Sequence, residues 1–319
     1  GYEATIRLGR ATGAAHYSKW HTTGTCGAIG AAAACARLLE LDASQTAHAL
    51  ALAMSQAAGL WQTRHEPQSM GKQIHTSHAA RAGLDAARLA AEGFKGPLSI
   101  LEGEQGFFAA CAPDGNPSAI LNPYGDDWLI HQVSFKPWPA CRHAHAAIDA
   151  ALHIDEGGVD PKQFQTIKVT TYPDAIKFCD KPNPASTIEA KFSLQHSVGV
   201  VLFKGRPELA DFDPAALSNQ DFVDIRRKVT VEVGEPFASA YPAQYGARVE
   251  VFGRDGMIAV ADVPDALGDP ENPLMPEQID AKASVLMGHA GIAGEDANRF
   301  LLLAAKPTRE LITRLVELL

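Results

Sequence analysis

Basic residues are in short supply: 28 Lys and Arg stand against 37 Asp and Glu, a formal charge of −9 over 319 residues. Phosphate contacts need concentrated Lys and Arg, and the one basic run, Arg226-Arg227-Lys228, reads as the solvated start of a strand, so no nucleic-acid partner is expected. Cysteines number five, at 26, 35, 111, 141 and 179, an odd count without a Cys-x-x-Cys spacing. That pattern encodes neither a disulfide framework nor a zinc site and fits a reducing, cytoplasmic compartment. No run approaches the roughly 18 to 20 continuous apolar residues of a membrane span, because Arg, His and Gln break the alanine-rich stretches. Gly-x-Gly-x-x-Gly, Walker-type and Gly-x-Ser-x-Gly loops are missing too, which removes the common nucleotide and serine-hydrolase sites. No signal-peptide pattern opens the sequence, which begins at Gly1 rather than Met.

What is there is an ordinary globular composition, 46% hydrophobic and 20% charged, long enough for two domains. The first part reads as alanine-rich helices, each ended by glycine: 28–41, then 43–58 started by Asp42 with Gln45, then 74–92. Small side chains let helix backbones approach closely, so a tight bundle is expected. After residue 123 the texture changes. Residues 166–171, 228–233 and 248–251 alternate as half-buried strands, and 252–257 turns the chain into a hairpin with 258–260. Ser186 with Glu189 predicts one helix ending near Gly205. Residues 264–276 read as a Pro/Asp/Asn-rich linker, and 277–287, 295–305 and 308–319 return to helical periodicity, with packing onto the first helices expected.

Three polar clusters stand out of the alanine background. Trp20-His21-Thr22-Thr23-Gly24-Thr25 leads into the first helix, where orphan N–H groups and the helix dipole favour an anion. On the residues alone, the plainer reading is an alanine helix capped by Thr23 or Thr25, with His21 filling a gap. Lys72-Gln73-Ile74-His75-Thr76-Ser77-His78 sets a lysine and a histidine three apart on one face. The third cluster, Ser134 to His145, holds Lys136 directly before the stiffening Pro137 and Pro139, and Arg142 just before a helix. His143 and His145 fall on different faces, and His75 and His78 have no Glu or Cys to complete a set, so no metal is expected. Cys26 reads as packing. Cations and imidazoles beside helix starts suit the holding of carboxylates and the movement of protons.

Seven separated motifs in order resemble the MmgE/PrpD family: Gly1-Tyr2-Glu3 with Arg7-Leu8-Gly9; Trp20 to Gly24; Lys72 with Ile74-His75; Gly93 to Pro97 with Gly106-Phe107; Phe135 to Cys141; Glu189 to Ser193; and Gly268 to Pro273. The resemblance covers essentially the whole chain. It implies an α+β fold, with a large mainly helical domain from both chain ends (1–125 and 270–319) and a smaller α+β lid domain (130–265). It also implies cofactor-free chemistry beside a carboxylate of a di- or tricarboxylate, in a homodimer, with His21, Lys72 and Lys136 as active-site residues in an interdomain cleft. Thr23, His75, Arg142 and Lys181 are the accompanying substrate-binding candidates. Family members carry an upstream helical segment with an active-site Asp and His, and this sequence starts after it. The family's decarboxylase has a tyrosine where this chain has Phe178, which favours dehydration of a hydroxy-polycarboxylate such as 2-methylcitrate. An epimerase, isomerase or decarboxylase of a related di- or tricarboxylate, or a catalytically incomplete binding or assembly module, are the other readings.

Overall fold

The computed structural model describes residues 1–66, 69–122 and 128–305, which form two compact units, 1–133 and 134–319. The chain is α+β.

In the first unit, α1 (Tyr2–Ala11), α2 (Gly13–Lys19), α3 (Thr22–Leu38), α4 (Ala43–Met54), α5 (Gly71–Ala91) and α6 (Phe107–Cys111) follow one another. The expected capping box is present: Asp42 accepts from Gln45 N, and the Gln45 side chain accepts from Asp42 N. α3, α4 and α5 pack through a seam of Ala28, Ala32, Ala53, Ala79 and Ala86, the tight alanine bundle that the sequence implies. Two boundaries shift in ways that matter for function. α3 starts at Thr22, six residues before the alanine run, and α5 starts at Gly71, so that Lys72 and His75 both lie in its first turns. Neither Thr23 nor Thr25 caps α3. The N-cap is His21, whose carbonyl accepts from Gly24 N and Thr25 N, while the Thr25 hydroxyl lies 2.9 Å from the buried ring of His16.

The second unit is built from α7 (His145–Glu156), β1 (Thr166–Thr171), α8 (Pro173–Cys179), α9 (Thr187–Lys191), α10 (Leu194–Lys204), α11 (Pro214–Leu217), α12 (Gln220–Arg226), β2 (Val229–Val233), α13 (Phe237–Ala240), β3 (Ala247–Gly253), β4 (Gly256–Val263), α14 (Pro276–His289) and α15 (Gly294–Ala304). The sheet order is β2-β1-β3-β4, parallel between β1 and β2 and antiparallel elsewhere. The crossover from β1 to β2 carries α8 to α12, as a parallel pair requires. Register puts Ile167, Val169, Val229, Val249, Val251, Ala261 and Val263 on one face, which α7 covers, and α10 packs against α7. The other face carries Lys168 with Glu232 and Glu250, and Arg248 with Asp262, so period-two alternation here marks a one-sided sheet.

Three expectations are corrected in this unit. The helix predicted from Ser186 to Gly205 breaks at Phe192–Ser193, because the Ser193 hydroxyl donates to Lys181 O and accepts from His196 N, which restarts the chain as α10. Arg226 is not solvated: it is 7% exposed at the end of α12, with Nη1 3.3 Å from His196 Nδ1. Residues 264–276 are no loose linker. Ala266, Gly268 and Asp269 are buried, Gly268 N donates to Asn272 O, and Leu267 N donates to the buried Asp149, which also accepts from Trp138 Nε1. α14 packs with α15; the predicted 308–319 helix lies outside the described residues.

Candidate functional site

In the first unit, His21, His75 and Lys72 come together although 54 and 51 residues separate them in sequence. The His21 and His75 Nδ1 atoms are 3.2 Å apart, and the Lys72 charge acts directly on His21. His21 is 8% exposed and its ring lies 4.5 Å from that of Trp61. Its backbone N–H donates to Gly59 O, beside a short bridge between Trp20 and Leu60, so the turn before α3 is pinned to the segment after α4. Thr23 is exposed in the first turn of α3, and the amides of Thr22 and Thr23 meet no protein acceptor among the described residues. A dipole end, an ammonium and two imidazoles thus converge on one helix terminus.

Burial, then Lys72, then His75 push the His21 pKa from 6.5 down to about 4, so the ring is neutral near pH 7 and able to accept a proton. Burial and then His78 lower His75 in the same direction. The unfolded chain therefore binds more protons than the folded one below 6.5, and stability present above that value is lost as pH falls toward about 4. Between about pH 7 and about pH 5 the first unit should lose about 1–2 kcal/mol from His21 alone, measured by urea unfolding, with a smaller loss in His21→Gln.

In the second unit, the Lys136 segment is strapped to the turn after β4. Phe135 N donates to Gly268 O, and Ser134 Oγ and Arg142 Nη2 both donate to Asp269 Oδ1. Arg142 stacks 4.8 Å over the Tyr245 ring, and its Nη1 is buried without a protein acceptor among the described residues. Lys136 is exposed, and its charge reaches His143, His145 and Cys179; the charge of Lys181 reaches Cys179 as well. Lys136, Arg142 and Lys181 therefore share one neighbourhood.

That neighbourhood contains groups the sequence did not announce. His143 Nδ1 is 2.8 Å from the Tyr172 hydroxyl, and its ring stacks on Phe178 at 4.9 Å. Tyr172 is fully buried and stacks on Tyr241, which donates to Asp174. Burial pushes His143 down to about 4 and Tyr172 well above the usual phenol range. The prediction that His143 and His145 face different ways holds: His145 Nε2 lies 3.4 Å from Ala140 O, and burial presses its pKa down to about 3. Cys26, at 1% exposed with its thiol raised to about 11, is packing as expected. Among the described residues no helix is long and apolar enough to cross a membrane.

The MmgE/PrpD N-terminal domain model matches residues 1–119 and the MmgE/PrpD C-terminal domain model matches residues 138–305. The chain belongs to the MmgE/PrpD family. Among MmgE/PrpD relatives, human cis-aconitate decarboxylase is 26% identical over 83% of this chain and 55% of the relative. A cis-aconitate decarboxylase-like protein of Aspergillus oryzae is 31% identical over 80% of this chain and 56% of its own length. The mitochondrial 2-methylcitrate dehydratase of Yarrowia lipolytica is 25% identical over 72% of this chain and 46% of its length. The chain thus spans about half the length of these curated relatives.

Proposed function

We propose that this chain forms the carboxylate-binding and proton-transfer part of a cofactor-independent hydro-lyase acting on a hydroxy-polycarboxylate such as 2-methylcitrate. The observation that carries the reading is the assembly of neutral His21 with His75 and Lys72 at the open N-terminus of α3. Removing water means taking a proton from a carbon beside a carboxylate and expelling the neighbouring hydroxyl, which leaves an unsaturated acid and water. Negative charge grows on the adjacent carboxylate during that step, and fixed positive charge there lowers the barrier. In this reading Lys72 and the Thr22–Thr23 amides hold that carboxylate and His21 takes the proton. Thr23 and His75 are the polar groups beside them in the first unit, and in the second unit Lys136, Lys181 and the second N–H arm of Arg142 serve carboxylates.

Decarboxylation is the second reading, supported by the names of several relatives. Against it, Phe178 stands at the position where the resemblance places a tyrosine, and its ring is stacked on His143. We further propose the helical domain from both chain ends with an α+β lid, and a homodimer, from the resemblance; the cytoplasmic compartment is proposed from the odd cysteine count without a Cys-x-x-Cys spacing.

Incubation with 2-methylcitrate in deuterated water separates the chemistries. Dehydration yields an alkene acid. Deuterium entering recovered substrate without an alkene acid would make the protein an epimerase, and carbon dioxide from cis-aconitate would make it a decarboxylase.

A further inference from the structure

His21 and His75 touch through like atoms, Nδ1 to Nδ1 at 3.2 Å. Two neutral imidazoles hold that distance in one manner only. One Nδ1 carries the hydrogen and the other offers its lone pair, because two N–H groups would collide and two lone pairs would repel. Both rings are neutral near pH 7: burial acts on each, Lys72 and His75 act further on His21, and His78 acts on His75. The two rings must then be opposite tautomers, and the contact decides which nitrogen of His21 remains bare.

The surroundings hold this contact in place. Gly59, whose carbonyl accepts from His21 N, lies against the His75 ring with φ +130°; a Cβ there would sit 3.2 Å from His75 Cγ and Nδ1. Gly24 approaches from α3, where a Cβ would lie 3.2 Å from His75 Cβ and 2.5 Å from Ala58 O. Trp61 closes the other side of His21. Gly59 and Gly24 thus crowd the His75 side chain, and Trp61 lies against the His21 ring.

We propose that His75 is a positioning residue that accepts a hydrogen bond from His21 Nδ1–H and so fixes His21 in the tautomer with a bare, proton-accepting Nε2. The direction of that bond rests on the reading of His21 as the proton acceptor. The role differs from substrate binding, since His75 acts through His21.

Long-range proton–nitrogen NMR of the imidazole side chains, on the ligand-free chain near neutral pH, tests it directly. The expected spectrum shows His21 as a single Nδ1–H tautomer and His75 as Nε2–H. In His75→Leu, His21 should relax to a tautomer mixture; in His75→Asn, whose carboxamide oxygen can accept the same hydrogen bond, the single tautomer should return. Identical tautomers on the two rings, the reverse assignment, or an unchanged His21 in a folded His75→Leu would overturn the proposal. If His75→Leu fails to fold, the wild-type assignment alone decides. The functional reading stands or falls separately: 2-methylcitrate that fails to bind removes that reading while leaving the tautomer result untouched.

Discussion

Valine at position 83 is expected to destabilise the first unit by about 3 kcal/mol or more, the upper range for overpacking a closed helix contact. Gly83 lies where α5 crosses α3, and even a Cβ there would strike Ala31 Cβ, Ala32 N at 2.5 Å and Ala28 O at 2.8 Å. Two of the three atoms belong to the α3 backbone, so no side-chain rotation relieves the clash and the helices must separate. Separation moves α5, which carries Lys72 and His75, away from His21 at the head of α3, so the histidine contact should loosen together with stability. Urea unfolding measures the loss, and Ala80→Val serves as the control. Ala80 is exposed on the same helix, where valine costs only about 0.5 kcal/mol in propensity. Equal losses at the two positions would show that the alanine seam does not set the helix spacing.

Lys72 is exposed in the substrate-free chain, so Lys72→Ala should weaken 2-methylcitrate binding by about 2 kcal/mol, the low end of the range for removing one partner of a charge pair that becomes buried on binding. It should also raise the His21 pKa from about 4, because the Lys72 charge is the second cause of its depression, while burial keeps it below 6.5. The paired readouts separate two roles. Weakened binding without a His21 shift would place Lys72 away from the imidazole; a His21 shift without weakened binding would leave Lys72 as an electrostatic neighbour that holds no substrate. Calorimetry and NMR titration of the two proteins supply both numbers.

Much of the fold was legible because it rests on local chemistry. The Asp42–Gln45 box, the alanine seam and the alternation of residues 166–171 and 248–251 depend on neighbours in sequence or on strand period, and all appear. The boundaries that failed depend on distant partners. Ser193 breaks a helical stretch by bonding the carbonyl of Lys181, and His21 caps α3 through its backbone rather than a threonine side chain. The 264–276 segment has the composition of a linker, yet Asp149, Ser134 and Arg142 hold it down, with Asp149 itself held by Trp138, none of which its own residues reveal.

The site divides in the same way. Lysines and histidines beside helix starts marked His21, Lys72 and Lys136 as candidates, and only the motif resemblance assigns all three to one site. The pairing of His21 with His75 across 54 residues, and of His143 with Tyr172 across 29, needed the packing of helices and sheet to become visible. A tyrosine directly after β1 and a histidine two residues before α7 were the only sequence signals for the second pair.

In the proposed chemistry the His21–His75–Lys72 assembly receives a substrate carboxylate. Titration of 2-methylcitrate into the folded protein, followed on the side-chain nitrogen signals of His21 and His75, tests it most directly. Saturable shifts are expected at both rings, with the same affinity that calorimetry reports, and are expected to be lost in Lys72→Ala. Binding by calorimetry that leaves both imidazoles unmoved would contradict it.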